Sequence, residues 1–178
     1  MTTIDRQLVG YLKDAHALQE HVEATLSELL TAVAEEPDVC RRLGRYAERT
    51  RAHTREIEAR LRAHGSAPSI VRDAGRLFGA VLEAGLGRAR RDPAGRHIRD
   101  AYVAAHLQIA SAEMLRRVAD RAGDAETARI ATALCDDAHA LSAELSERWD
   151  LAVELSLRQH GLRDVPPPGD SGPSGGAR

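Results

Sequence analysis

Along this chain the apolar residues recur in alternating steps of three and four over four long stretches, the spacing of amphipathic helices. Helix A is predicted from about Ile4 to Glu35, with Leu8, Leu12, Ala15, Gln19, Val22, Leu26, Leu29 and Val33 on one face. Glu35-Glu36-Pro37-Asp38 breaks it, and Pro37 and Asp38 are start signals for a second helix. Helix B runs from about Val39 to His64, with the stripe Val39, Leu43, Tyr46, Thr50, His53, Ile57 and Leu61, and Gly65 stops it. The short turn between A and B makes them antiparallel neighbours. Helix C is predicted from about His97 to Ala122, with Ile98, Tyr102, Ala105, Ile109, Ala112, Leu115 and Ala119 inward. Gly123-Asp124 ends it and caps helix D, which runs from about Ala125 to Gln159. Helix D turns Ile130, Leu134, Ala138, Leu141, Leu145, Trp149 and Ala152 inward, and Gly161 closes it.

Residues 66–97 break the pattern. Ser66-Ala67-Pro68-Ser69 starts a short helix with Ile70, Val71, Leu77, Phe78, Val81, Leu82 and Leu86, and Arg88 to Gly95, with Pro93, reads as a basic loop. The whole stretch is expected to be a crossover that returns the chain along the bundle. From Val165 the composition is Pro, Gly and Ser with almost no apolar content, which cannot bury a core. The expectation is an all-α antiparallel four-helix bundle over residues 1–164, with a short fifth helix in the B–C crossover, and a disordered tail over 165–178.

Composition narrows the function. The chain has 178 residues, 43% of them hydrophobic but only 3% aromatic, so the core must be built from Leu, Ala, Val and Ile. The formal net charge of -2 gives no global pull toward nucleic acid or an anionic membrane. Lys13 is the only lysine, a bias rather than a site. Cys40 and Cys135 have no motif spacing, and they read as reduced thiols of a cytoplasmic protein. No apolar run is long enough to span a bilayer.

At the mid-length of each helix polar residues interrupt the apolar stripe, the layout of a ferritin-like bundle with a central metal site. Di-metal carboxylate bundles take a Glu from each of two helices and a Glu-x-x-His pair from each of the others. Here helix A turns Gln19 inward, flanked by His16 and Glu23, and helix B turns Thr50 and His53 inward, flanked by Arg49 and Glu56. Helix C places Gln108 at one edge of its stripe and His106 at the other, and helix D places Asp137 at its edge. Asp136 and His139 have ligand-like spacing, but they fall on the face opposite Leu134, Ala138 and Leu141. His16, His21, His64, His97 and His160 are expected at the surface or at helix ends. Tyr11, Tyr46 and Tyr102 are expected to pack with satisfied hydroxyls, and Trp149 to pack near the end of helix D or in a dimer interface.

Several longer strings carry a resemblance. They are Tyr11-Leu12-Lys13-Asp14-Ala15-His16-Ala17, Thr50-Arg51-Ala52-His53 and Arg60-Leu61-Arg62-Ala63-His64-Gly65-Ser66-Ala67-Pro68-Ser69. They continue with Arg99-Asp100-Ala101-Tyr102, Ile109-Ala110 and Arg121-Ala122-Gly123-Asp124-Ala125-Glu126-Thr127-Ala128. Together they resemble the YciE/YciF-type ferritin-like proteins, particularly their actinobacterial branch, over nearly everything from Tyr11 to Leu162. The resemblance implies a ferritin-like bundle, often dimeric, linked to stress responses and to a metal. It also implies Glu at the positions held here by Gln19, Arg49, Ala105 and Gln108, and a Glu pair where this chain has Asp136-Asp137; His53 and His106 match.

That comparison frames three readings. In the first, the chain is a degenerate ferritin-like protein without a working di-iron centre or catalytic residues. Arg49 then supplies the missing positive charge by pairing with Asp137, while Gln19 and Gln108 hydrogen-bond with His53. In the second, His53, His106 and Asp137, with Glu23 or Glu56, hold iron, manganese or zinc in an oxidoreductase or iron-handling site. In the third, the Arg-rich helix B (Arg41, Arg42, Arg45, Arg49, Arg51, Arg55, Arg60 and Arg62) and the Arg88–Arg91 loop bind a protein partner or a polyanion. A solvated helix face explains those arginines more simply, and no aromatics interleave them for stacking on single strands. The first reading is preferred, with self-association as a dimer and no membrane or nucleic-acid partner.

Overall fold

Thr2 opens the first helix because its hydroxyl and the Asp5 carboxylate satisfy each other's backbone donors. In the computed structural model, which describes residues 2–68 and 93–162, helix α1 spans Thr3–Ala32. Asp5 N–H donates to Thr2 Oγ1 at 3.2 Å and Thr2 N–H donates to Asp5 Oδ2 at 2.7 Å, a reciprocal cap. Helix α2 spans Pro37–Ala63 with its proline at the first turn, where the missing N–H has no helical partner to lose. Helices α3 (Pro93–Ala122), α4 (Ala125–Ser146) and α5 (Trp149–Gln159) follow. Gly65 and Gly123 end α2 and α3 with φ of +66° and +72°. That left-handed geometry lets Ser66 N–H reach Leu61 O at 2.8 Å and Asp124 N–H reach Ala119 O at 3.0 Å, so carbonyls left over at each helix end are used.

Two expectations are corrected. The third helix begins at Pro93 rather than His97, because proline fits the first turn of a helix as well as it fits a loop. Helix D is two helices, broken at Glu147-Arg148. Just before the break, Ser142 Oγ donates to His139 O and Ser146 Oγ donates to Ser142 O, both at 2.9 Å. The same back-bonds occur within unbroken helices at Thr25, Thr50 and Thr132, so they accompany the break without being enough to cause it. The break lets α5 fold back onto the start of α3, burying Ala152 and Leu155 and setting Trp149 edge-on to Tyr102 at 5.3 Å. The crossover helix and the C-terminal tail anticipated above lie outside the described residues.

Side-chain pairs give the topology. His16 meets Glu58 and Glu23 meets Arg51, so α1 and α2 are antiparallel. Gln19 meets Gln108 and Glu28 meets His97, so α1 and α3 are antiparallel too. Arg42 meets Glu144 and Arg60 meets Asp124, so α4 runs against α2. The order is up-down-down-up, with α2 and α3 parallel on one diagonal. The end of α2 and the start of α3 therefore lie at opposite ends of the bundle, about 40 Å apart for helices of this size.

The core falls into two apolar clusters. One holds Leu26, Leu29, Leu43, Ile98, Ala104 and Leu145; the other holds Leu8, Leu12, Ile57, Leu115, Ile130 and Leu134. Each fully buried Leu or Ile contributes roughly 1.5–3 kcal/mol of transfer free energy. Between the clusters lies a layer in which the buried polar side chains are Gln19, Thr50, His53 and Gln108. Among the described residues no helix is long and apolar enough to cross a membrane.

Candidate functional site

Each of the four long helices sends a polar side chain into the layer between the two apolar clusters. Gln19 of α1 and Gln108 of α3 are 1% and 4% exposed, and Gln108 Nε2 donates to Gln19 Oε1 at 3.0 Å. Thr50 of α2 is buried and donates its hydroxyl back to Tyr46 O at 2.9 Å, so it asks for no partner across the bundle. His53, one turn further along α2, has its Nε2 2.9 Å from Asp137 Oδ2 of α4 and its Nδ1 3.4 Å from Glu56. Arg49 Nη1 donates to the other Asp137 oxygen at 2.7 Å, with its guanidinium 5.7 Å from the centre of the Tyr46 ring. Arg49, Thr50, His53, Gln108 and Asp137 line one cavity of about 10 Å³, room for about one water.

Several expectations change at this point. Gln19 and Gln108 bond to each other rather than to His53, because antiparallel packing of α1 on α3 brings the amides together while His53 faces α4. Arg49 is not in the interior: its side chain is 52% exposed, and it reaches Asp137 from the rim. His106 is exposed, its ring nitrogen bonded to Tyr102 O at 3.0 Å and its ring 4.3 Å from that of Tyr102, so it stands away from the layer. A stripe-edge position turned outward by a few tens of degrees loses the core altogether. Asp136 and His139 are exposed as well.

His16 reverses its expectation. It is 4% exposed, held between Glu58 at 3.3 Å and Glu20 at 3.7 Å. Ala15 through Gln19 are all buried, so α1 is covered on more than its predicted face at this level. The ridge His16 shares with Gln19 carried that signal. A second polar cluster was not anticipated. Asp124 caps α4, accepting from Thr127 N–H at 3.0 Å, and also accepts from Arg60 at 2.7 Å and His64 at 2.8 Å. Burial pushes the Asp124 carboxyl up, but the Thr127, Arg60 and His64 donors outweigh it and hold it far below the usual range. The Gly123-Asp124 cap was legible; its partners on α2 depend on packing.

The donor set does not suit a di-metal centre. Such a site needs several carboxylates converging on the axis. The amides of Gln19 and Gln108 stand there instead, already bonded to one another, beside a fully buried Ala105 that offers no donor. The one carboxylate touching His53 from across the bundle, Asp137, is also held by a guanidinium. Among the described residues no group of three or more His, Cys, Asp or Glu is placed to hold a metal ion. The arginines of α2 are also largely engaged. Arg41, Arg42, Arg49, Arg51, Arg60 and Arg62 each meet a carboxylate, while Arg45 and Arg55 are exposed.

A family model described as a domain of unknown function, DUF892, matches residues 3–157. No curated protein matches the chain. Among solved structures, a protein from Xanthomonas campestris pv. campestris superposes with a TM-score of 0.73 at 22% identity, over 90% of this chain and 100% of its own. The Escherichia coli stress protein YciF superposes with 0.65 at 19% identity, over 87% and 98%. YcfI of Rhodopseudomonas palustris gives 0.64 at 19% identity, over 82% and 94%. At these identities the likeness is one of fold.

Proposed function

The chain belongs to the DUF892 family, and from that premise we propose that it is a stress-related, ferritin-like bundle protein whose metal site is degenerate. Its central layer is closed by hydrogen bonds and one rim ion pair in place of a di-metal cluster. The observation that carries this reading is the bond from Gln108 Nε2 to Gln19 Oε1 at 3.0 Å. Two carboxylates at that separation would repel unless a cation or a shared proton lay between them. Two amides donate and accept in turn and need neither. His53, His106 and Asp137 are then the remnants of a ligand set, His53 and Asp137 still paired and His106 turned away. The link to stress comes from the stress protein YciF, a structural neighbour. No catalytic residue is assigned. Self-association is part of the proposal, supported by the exposed Val103, Trp149 and Val153 on α3 and α5.

The test is metal content by elemental mass spectrometry on tag-free protein, after anaerobic addition of Fe(II) and, separately, Mn(II) and Zn(II). The expected result is no metal above background. About two irons per chain, the stoichiometry of a di-iron bundle, would overturn the reading in favour of an iron-handling or oxidoreductase site.

A further inference from the structure

The contact between α2 and α4 differs in kind from the one between α3 and α4. Along it, charged side chains meet in series: Arg42 with Glu144 at 3.5 Å, Arg49 with Asp137 at 2.7 Å, Glu56 with Arg129 at 3.8 Å and Arg60 with Asp124 at 2.7 Å. Arg42, Arg49 and Glu56 recur at one heptad, and Asp137 precedes Glu144 by the same step, so the pairs follow one edge of an antiparallel helix pair. Burial raises the Glu144 carboxyl, but the guanidinium groups of Arg148 and Arg42 outweigh it and hold it below its ordinary value.

Beneath this ladder there is little apolar packing at mid-length. Between Leu43 and Ile57 the buried residues of α2 are Ala47, Thr50 and His53, and between Leu134 and Leu141 the apolar residues that α4 buries are Cys135 and Ala138. The cavity lies at this level, lined by Arg49, Asp137 and Ala138 among others. The α3–α4 side, in contrast, packs Ala112, Leu115 and Ala119 with Ile130 and Leu134 in one cluster. No ion pair joins those two helices among the described residues.

We infer that the α2–α4 seam is the opening seam of the bundle, an ion-pair latch that loosens when salt screens it and admits solvent to the polar layer at Thr50, His53 and Gln108. Coulombic pairing near the surface falls off steeply with ionic strength, the screening length shrinking from about 10 Å at about 0.1 M salt to about 3 Å at about 1 M. Apolar packing does not weaken this way, so the α3–α4 side stays closed. The inference rests on the seam alone, and metal content does not decide it.

Hydrogen exchange on the full chain at those two NaCl concentrations tests it. Backbone amides of α2 and α4 flanking the seam, over 44–56 and 131–141, are expected to exchange about tenfold faster at the higher salt, with α3 amides over 101–115 unchanged. Equal acceleration in all helices, or none in α2 and α4, would overturn it. A second probe places a thiol at the seam by Ala138→Cys in a Cys40→Ala, Cys135→Ala background, with Ala112→Cys as the control on the α3 side. Labelling by an uncharged reagent should quicken with salt only at position 138. Adding Arg42→Gln and Arg49→Gln should make it fast at low salt and remove most of the salt response; a response that survives these changes refutes the latch.

Discussion

Deleting either partner of the Arg49–Asp137 pair gives unequal losses, and the inequality separates two accounts of the site. If the guanidinium stood in for a buried metal charge, Arg49→Ala would leave Asp137 unpaired in the interior and cost roughly 3–5 kcal/mol. The structure assigns a smaller number. Arg49 is half exposed, so its ion pair is worth roughly 0.2–1 kcal/mol, and its stacking on Tyr46 adds about 0.5 kcal/mol. After its removal Asp137 keeps the imidazole of His53 at 2.9 Å. Asp137→Ala instead takes the charged acceptor from His53, which is 8% exposed, a bond worth roughly 1.5–3 kcal/mol, and loses the Arg49 pair as well. The expected losses are about 1 kcal/mol for Arg49→Ala and about 3 kcal/mol for Asp137→Ala. For a domain of this size that is a fall in Tm of roughly 2–4 °C against 6–12 °C. Thermal unfolding followed by circular dichroism at neutral pH, with urea titrations to check that the m-value is unchanged, measures both. Equal losses, or a larger one for Arg49→Ala, would refute the placement of Arg49 at the rim and of His53 on Asp137.

Two further outcomes follow from the same geometry. Gln19→Glu combined with Gln108→Glu should destabilise the metal-free protein increasingly as pH rises above about 4.3, the ordinary Glu value. Each buried carboxyl is then kept protonated by the other, so stability is lost as pH climbs from the unfolded toward the raised folded value; a flat profile in urea melts at several pH values would argue against contact between the two positions. Asp124, held below its ordinary value, contributes stability that is present above about 4 and is lost as pH falls toward its folded value. Asp124→Asn should therefore cost about 1–3 kcal/mol at neutral pH and show a shallower decline in acid. Acid-dependence of Tm identical to that of the natural chain would show that the Arg60, His64 and Thr127 contacts do not hold this carboxylate.

The ends of α2 and α3 were legible because a glycine past the last turn and a capping aspartate are local signals, written within a few residues of where they act. The break at Glu147-Arg148 was not, since no glycine or proline stands there and its serines bond back to their own helix just as Thr25, Thr50 and Thr132 do in unbroken ones. Gln19, Thr50 and His53 were readable as inward because each lies squarely on a stripe of period 3.6, whereas Gln108 sat at the edge of its stripe and packing turned it in. Arg49 and His106 sat near the edges of their stripes, where a small rotation of the helix decides between core and solvent. His16 was misjudged for the complementary reason, as a central helix is covered on more than one side.

By itself, then, the amino-acid sequence determined the four long helical stretches, the glycine stops of α2 and α3, the apolar faces and the polar interruption at mid-length, because all of these depend on spacing along one chain. Tertiary structure alone decided which polar groups meet. Gln108 bonds to Gln19 and not to His53, His53 turns to Asp137, and Asp124 gathers Arg60 and His64 from a helix about sixty residues earlier in the chain. Such pairings depend on the relative rotation and sliding of whole helices, which follow from the summed packing of both apolar clusters and from no single segment.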